Sequence, residues 1–171
     1  MNKKLITVIS IITVLLAIIA ISLKLNQPSI EMQKEILANA EILLTFGDNQ
    51  IILNKDNITM SEEIFEAVLD TADTNPFVHQ YKGSQLKNIL KSNNIDVANN
   101  ATIILIAADG YSVAYSADEV LKDKNVYIAY MEDEKYLGKK DDGGRGPYES
   151  IVVSDSFSNR RCKWITEIEV K

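Results

Sequence analysis

The first strongly apolar stretch of the chain, Leu5 to Leu23, contains no charged residue. At about 1.5 Å per residue, a helix of this length approaches the roughly 30 Å hydrocarbon core of a bilayer. A core helix of a globular domain would need a polar face, which this stretch lacks. A cleaved signal peptide would have a shorter apolar stretch followed by small residues, and Ile21 to Leu25 do not offer them. The pattern predicts an uncleaved transmembrane helix, with a cleaved signal peptide as the alternative.

The charges around the apolar stretch predict its orientation. Lys3, Lys4 and the terminal amine precede it, whereas only Lys24 follows it closely. Positive charge near a membrane helix favours the cytoplasmic side. We therefore expect a single-pass protein of the cell membrane, with its C-terminal domain outside the cytoplasm.

Composition divides the chain into three parts. Residues 1–25 form the predicted membrane anchor. Residues 26–40 are polar, are interrupted by Pro28 and then contain good helix formers, which predicts a stalk. Residues 41–171 have the length of one small domain, since domains commonly contain about 100 to 150 residues.

Two pairs of apolar runs predict β-hairpins in this domain. Residues 41–46 and 50–53 are rich in strand-forming side chains and are separated by a Gly-Asp-Asn turn. Residues 102–107 are continuously apolar, and Asp109-Gly110 separate them from a second run over 111–115.

Three segments carry the pattern of helices. The first, after Thr59 or Ser61, places four apolar residues on one helix face: Ile64, Phe65, Val68 and Leu69. The second covers SQLKNILKSN, residues 84–93, after a turn at Lys82-Gly83. The third is short and begins at Ser116, three residues before Glu119, which is the spacing of a capping box.

The remaining apolar runs predict further strands. They cover residues 77–81, 126–131, 136–137, 150–154 and 164–170, and the long loop GKKDDGGRGP lies at 138–147. Together the elements predict an α+β domain that is rich in strands and built on a mixed sheet.

The globular part of the chain is acidic. Beyond residue 25 it carries 15 basic and 24 acidic residues, a formal charge near −9. Such a domain is not suited to follow the phosphate backbone of a nucleic acid. We expect no nucleic-acid partner.

Motifs with strict catalytic or metal-binding spacing, such as GxGxxG, HExxH or CxxC, do not occur in the sequence. The single cysteine, Cys162, and the single histidine, His79, are too far apart in sequence to indicate a zinc cluster. We expect a buried, unreactive thiol at Cys162 and a structural or surface role for His79. No catalytic residue and no metal ligand is predicted.

Two groups of residues are candidates for binding an anionic ligand. The backbone of Gly144 and Gly146 can approach a ligand closely, while the Arg145 guanidinium pairs with an anion. The alternative is a flexible connection. Arg160 and Arg161 form a basic cluster that suits a phosphate or an acidic partner surface, and the alternative is a solvated strand edge.

Several short motifs are informative because of the order and spacing in which they occur. They comprise Tyr81-Lys82-Gly83 with Leu86 and Ile89-Leu90, then Ala108-Asp109-Gly110-Tyr111, Tyr127-Ile128-Ala129-Tyr130, Gly144-Arg145-Gly146-Pro147, and Lys163-Trp164-Ile165 with Ile168-Glu169-Val170. From about Glu41 to Lys171, the chain resembles the oxidoreductase molybdopterin-binding domain family of the sulfite oxidase type. The resemblance implies a mixed α+β fold that holds a molybdopterin cofactor.

The chain departs from that family in two places. The family supplies a cysteine thiolate to molybdenum from the N-terminal part of the fold, but no cysteine precedes Cys162 here. The family often has an arginine shortly after the Gly-Pro pair, where this chain has Tyr148, Glu149 and Ser150. Molybdenum is soft enough to require the thiolate, and a carboxylate would repel a cofactor phosphate. We therefore expect no bound cofactor.

These observations favour a membrane-tethered, extracytoplasmic domain that is not an enzyme and binds a small ligand or a protein partner. One alternative is a molybdenum-cofactor-dependent oxidoreductase that grips the cofactor through its glycine-rich loop and the basic cluster. Another is an accessory subunit of an envelope complex, docked through exposed tyrosines. The candidates for such anchors are Tyr111, Tyr115, Tyr127 and Tyr130.

Overall fold

The computed structural model describes residues 3–71, 74–138 and 144–171, which fall into two compact units, Met1–Glu35 and Ile36–Lys171. Helix α1 (Lys3–Asn39) forms the described part of the first unit, and its last residues, 36–39, belong to the second. Many of its large apolar side chains, including Ile11, Val14 and Leu16, are more than half exposed. Among the described residues, no helix combines the length and the apolar character that crossing a membrane requires.

The second unit consists of strands with short helices between them. In chain order these are β1 (Ile42–Phe46), β2 (Asn49–Leu53), α2 (Lys55–Thr59), β3 (Glu62–Thr71), β4 (Thr74–Gln85), α3 (Leu86–Ser92), β5 (Thr102–Ala107), β6 (Ser112–Ser116), α4 (Ala117–Leu121), β7 (Val126–Glu132), β8 (Lys135–Tyr136), β9 (Glu149–Val152) and β10 (Ile165–Val170). Within the described part of the chain, a 3-10 turn, Ser158–Arg160, precedes β10.

The strands form two sheets. The first has the order β2-β1-β10-β5-β6, and its one parallel pair among the described strands joins β1 to β10, with Leu44 opposite Ile168. The second has the order β3-β4-β7-β8, and β9 also pairs with β7. The sheets and short helices confirm the predicted α+β class, rich in strands.

Two apolar clusters lie on opposite faces of the second sheet, because neighbouring residues of a strand point to opposite sides. Ile128 of β7 faces the main core, which it shares with the first sheet and the short helices. Its neighbours Tyr127 and Ala129 face a smaller cluster that also contains Phe65 and Tyr81. The candidate functional residues gather beside this smaller cluster.

The helix predicted after Ser61 is wrong, since this segment is strand β3. The burial of its side chains alternates: Phe65 and Ala67 are 9% and 5% exposed, whereas Ile64 and Val68 are 62% and 38% exposed. The spacing of the four apolar residues would place them on one face of a helix. Because the segment pairs with β4 along its length, successive side chains instead point to opposite faces of the sheet.

The turn predicted at Lys82-Gly83 is also wrong, because β4 continues to its last residue before α3. Gly83 lies opposite Ala129 of β7, and a Cβ at this position would come within 2.4 Å of the Ile128 carbonyl oxygen. The glycine therefore permits two strands to approach closely at a register shift, rather than a reversal of the chain.

Most of the other local predictions are confirmed. The structure contains both predicted hairpins, the helix over part of 84–93, and strands close to 77–81, 126–131, 150–154 and 164–170. Ser116 and Glu119 form the predicted capping box at the start of α4. Part of the predicted loop, residues 139–143, lies outside the described residues.

Candidate functional site

Tyr81, on β4, lies at the centre of a network of polar side chains beside the smaller apolar cluster. Its hydroxyl donates to Glu132 Oε1 at 2.6 Å and accepts a hydrogen bond from Arg161 Nη1 at 2.9 Å. Burial, with a contribution from Glu132, raises the pKa of Tyr81 to about 12. The phenol therefore stays neutral at physiological pH and links a carboxylate to a guanidinium.

Arg145 is the second cation of this network. Its Nη1 donates to Glu149 Oε2 at 3.0 Å, its Nη2 pairs with Glu132, and its side chain is only 12% exposed. Burial alone would lower the pKa of Arg145, but Glu149 and Glu132 outweigh it, so the pKa lies above its usual value. The guanidinium predicted to hold an anionic ligand is engaged by two carboxylates of the chain itself.

Glu149, the first residue of β9, is fully buried. Its Oε2 accepts from Arg145, while its Oε1 has no hydrogen-bond partner among the described residues. Burial raises the pKa of Glu149, and the nearby Arg145, Arg161 and Lys163 oppose this shift. The buried carboxylate of Glu149 thus pairs with the arginine of the preceding loop.

The predicted basic cluster is not one site. Arg161 is buried, and its guanidinium lies over the Tyr81 ring, with Cζ 5.1 Å from the ring centroid. Arg160 instead pairs with Asp155 at 2.6 Å and with Glu119 at 2.8 Å. The 3-10 turn and the extended residues after it send the two side chains in different directions.

The glycines of the predicted ligand loop have a structural partner in Trp164. The indole Nε1 donates to the Gly144 carbonyl at 3.1 Å. Gly146 has a φ of +81°, and a Cβ there would lie 2.7 Å from the indole ring. The absence of a side chain at Gly146 therefore serves packing against tryptophan and a backbone conformation that glycine favours.

A pocket of about 490 Å³ lies beside this loop, and Gly146 and Pro147 belong to its lining. Its walls include Leu37, Lys55, Tyr130, Tyr136, Pro147 and Tyr148. Sites for small molecules commonly have volumes of about 300 to 1,000 Å³ and mainly apolar or aromatic walls with a few polar groups. The size and lining of this pocket match that description.

The tyrosines proposed as docking anchors are mostly unavailable. Tyr115, Tyr127 and Tyr130 are between 1% and 6% exposed, so they cannot present a surface to a partner. Tyr111 is 44% exposed, and its hydroxyl donates to the Asn159 carbonyl. Because successive residues of a strand point to opposite faces, β6 and β7 place the rings of Tyr115, Tyr127 and Tyr130 in the two apolar clusters.

The single histidine and the single cysteine occupy structural positions. His79 Nδ1 lies 2.7 Å from Asp133 Oδ2, beside the turn that follows β7. Cys162 is fully buried in the main core, and burial raises the pKa of its thiol to about 12. The thiol is buried as predicted, and it is protonated at physiological pH.

Molybdenum is the metal that the family resemblance implies, and the donors available decide whether this chain suits it. The chain has one cysteine, and its buried, protonated thiol is a poor source of the required thiolate. Within the described ranges, no group of three His, Cys, Asp or Glu side chains is placed to hold a metal ion. With Arg145 and Arg161 engaged internally, these residues do not fit the cofactor.

Sequence reasoning did not identify Tyr81 and Glu132 as parts of the site. Tyr81 belonged to the strand predicted over 77–81, and Glu132 directly follows the strand predicted over 126–131. An acidic side chain at the end of an apolar strand was the available signal, because such a residue often compensates a buried cation.

No family model and no curated protein matches the sequence. The crystal structure of the sulfane dehydrogenase SoxCD from Paracoccus pantotrophus matches the fold with a TM-score of 0.59 at 13% sequence identity. The match covers 76% of this chain but 37% of that chain, so the present protein spans little more than a third of its length. At this identity the likeness concerns the fold alone. The chain thus has a distant sulfite-oxidase-like fold.

Proposed function

We propose that this protein is a non-catalytic, ligand-binding domain that retains a distant sulfite-oxidase-like fold without molybdenum chemistry. The observation that carries the proposal is the buried pairing of Arg145 with Glu149 and Glu132. Two carboxylates engage the one guanidinium inside the protein, so the guanidinium is not available for the anionic end of a cofactor.

An ion pair at this depth resists replacement by a ligand. Glu149 is fully buried and the Arg145 side chain is 12% exposed, so separating them would leave charges in a poorly solvated place. Removing one partner of a buried pair commonly costs about 3 to 5 kcal/mol. A phosphate competing for Arg145 would have to offset that cost and also the repulsion from both carboxylates.

The pocket beside the glycine-rich loop supports a binding function. It is large enough for a small molecule, and Tyr130, Tyr136 and Tyr148 contribute to its walls. Its lining does not include Arg145, Tyr81 or Arg161. Ligand binding there requires no change in the buried ion pairs.

The proposal includes a membrane tether, with the domain outside the cytoplasm. It rests on the charge-free stretch from Leu5 to Leu23 and on the excess of positive charge before it. Carbonate-resistant association of the full chain with membranes, and protease digestion of the domain from the outer side, are expected. Release by carbonate would refute the tether but not the binding function.

The decisive test is the cofactor content of the full chain purified from cells that synthesise molybdopterin. Molybdenum is measured by elemental mass spectrometry, and pterin by fluorescence after oxidation. Trace amounts of both are expected. Stoichiometric amounts of both would overturn the proposal in favour of a molybdenum-dependent oxidoreductase, and Arg145→Ala should then lower the occupancy.

The alternative of an accessory subunit retains one exposed candidate anchor, Tyr111. If the protein docks on an envelope complex through this residue, Tyr111→Ala should abolish its co-purification with that complex. A Tyr136→Ala variant provides the matched control, since Tyr136 is also exposed but lies in the pocket wall.

A further inference from the structure

We propose that the pocket lined by Lys55, Tyr130, Tyr136 and Tyr148 binds a small organic anion with a flat, apolar body. The inference rests on the proposed binding function and names the class of ligand. It follows from two features of the lining: three tyrosines, of which Tyr130 and Tyr148 have their hydroxyls engaged within the protein, and one cationic side chain among the described lining residues.

The tyrosines of the pocket offer mainly apolar surface. The Tyr148 hydroxyl donates to the Ala40 carbonyl at 3.0 Å, and the Tyr130 hydroxyl donates to Glu62. Tyr130 and Tyr148 are only 6% and 2% exposed, so the ring of Tyr136, which is 65% exposed, is the main aromatic surface left for a ligand. The Tyr130 and Tyr136 centroids are 6.3 Å apart, with the rings tilted by 32°. Such aromatic walls suit a flat apolar body.

Lys55 gives the pocket its charge preference. Its ammonium lies 5.4 Å from the centroid of the Tyr136 ring, so the charge stands directly beside an aromatic wall. The carboxylate next to Tyr130, Glu62, is paired with Lys82 at 2.7 Å. The Glu62 carboxylate is thus already paired with another lysine, so Lys55 can attract the acidic group of a ligand.

The backbone of three further lining residues adds uncharged surface. Gly138, Gly146 and Pro147 all line the pocket, and the amide of Gly146 donates to the Gly138 carbonyl at 3.2 Å. Gly146 also touches Trp164, the single tryptophan of the chain. Filling the pocket should therefore change the environment of the Trp164 indole.

The test uses the ¹⁵N-labelled full chain in a mild detergent, in which one tryptophan gives one indole N–H signal. The probes are 1-naphthoate and its uncharged analogue naphthalene-1-methanol, titrated separately against a detergent blank. We expect a saturable shift of the indole signal with both probes, and tighter binding of 1-naphthoate. Lys55→Met should weaken 1-naphthoate roughly fivefold, since the ion contact of an exposed lysine contributes up to about 1 kcal/mol, and should leave the alcohol within twofold.

Two variants control for effects on folding and for general charge. Lys122→Met removes an exposed lysine outside the lining and should leave both affinities unchanged. Ala38→Phe enlarges an exposed residue of the lining and should weaken both probes. No saturable shift with either probe, or equal losses in Lys55→Met and Lys122→Met, would overturn the inference. Neither result bears on cofactor content, which tests the proposed function separately.

Discussion

Replacing Arg145 with methionine tests the internal pairing of charge in this fold. Methionine keeps much of the length of the side chain but leaves Glu149, which is fully buried, without the cation 3.0 Å away. Removing one partner of a buried ion pair costs about 3 to 5 kcal/mol. Domains are commonly stable by about 5 to 15 kcal/mol, so Arg145→Met should remove a large fraction of the stability.

The loss of stability in Arg145→Met should increase with pH. Burial raises the pKa of Glu149 above the ordinary value of a glutamate side chain, and Arg145 opposes this shift. Without Arg145 the pKa of Glu149 rises further. When the pKa of a carboxyl is higher in the folded state than in the unfolded state, the group costs no stability at pH values below its pKa in the unfolded state. Stability is lost as the pH rises from there through the pKa in the folded state. Arg145→Met should therefore lose more stability at pH 7.5 than at pH 5.

The assay is urea unfolding of the full chain in a mild detergent, followed by Trp164 fluorescence at both pH values. Arg145→Met/Glu149→Gln should recover part of the loss, because no uncompensated charge remains at Glu149. Lys87→Met provides the control, since Lys87 pairs with the exposed Asp123 and such pairs contribute about 1 kcal/mol or less. A deficit below about 1 kcal/mol that is equal at both pH values would refute the reasoning.

Further predictions concern other points of the fold. Gly146→Ala should destabilise the protein by more than Gly110→Ala in thermal unfolding, because both glycines have positive φ but only a Cβ at Gly146 would collide with Trp164; equal losses would contradict this. Ser116→Ala should cost about 1 kcal/mol through loss of the capping box, measured by denaturant unfolding. The Cys162 thiol should resist a thiol reagent at pH 8 until the protein is unfolded, since burial raises its pKa to about 12; rapid labelling of the folded protein would contradict this.

The hairpins could be predicted from residues that are close in the sequence. Where the sequence pattern predicted the wrong element, pairing with a distant strand determines the structure. The turn at Asp109-Gly110 and the cap at Ser116 depend on residues close in sequence, so both were predictable. The spacing of Phe65 and its neighbours fits a helix or a strand, and only pairing with β4 selects the strand. The short helix α2 was not predicted, although Asn54 forms a capping box with Asn57.

The candidate site was predictable only in part. Arg145 and Arg161 were identified as cations of interest, but the groups that hold them come from distant parts of the chain. Tyr81 lies on β4, Glu132 at the end of β7 and Glu149 at the start of β9. Sheet pairing places these three strands side by side, and the spacing of their residues in the sequence does not predict that they are neighbours.

The most direct test of the account is native mass spectrometry of the full chain from a host that makes molybdopterin and from one that does not. Because Glu149 and Glu132 engage Arg145, both preparations should have the mass of the polypeptide alone. A heavier species carrying the mass of a molybdopterin cofactor, present only in the first preparation, would contradict it.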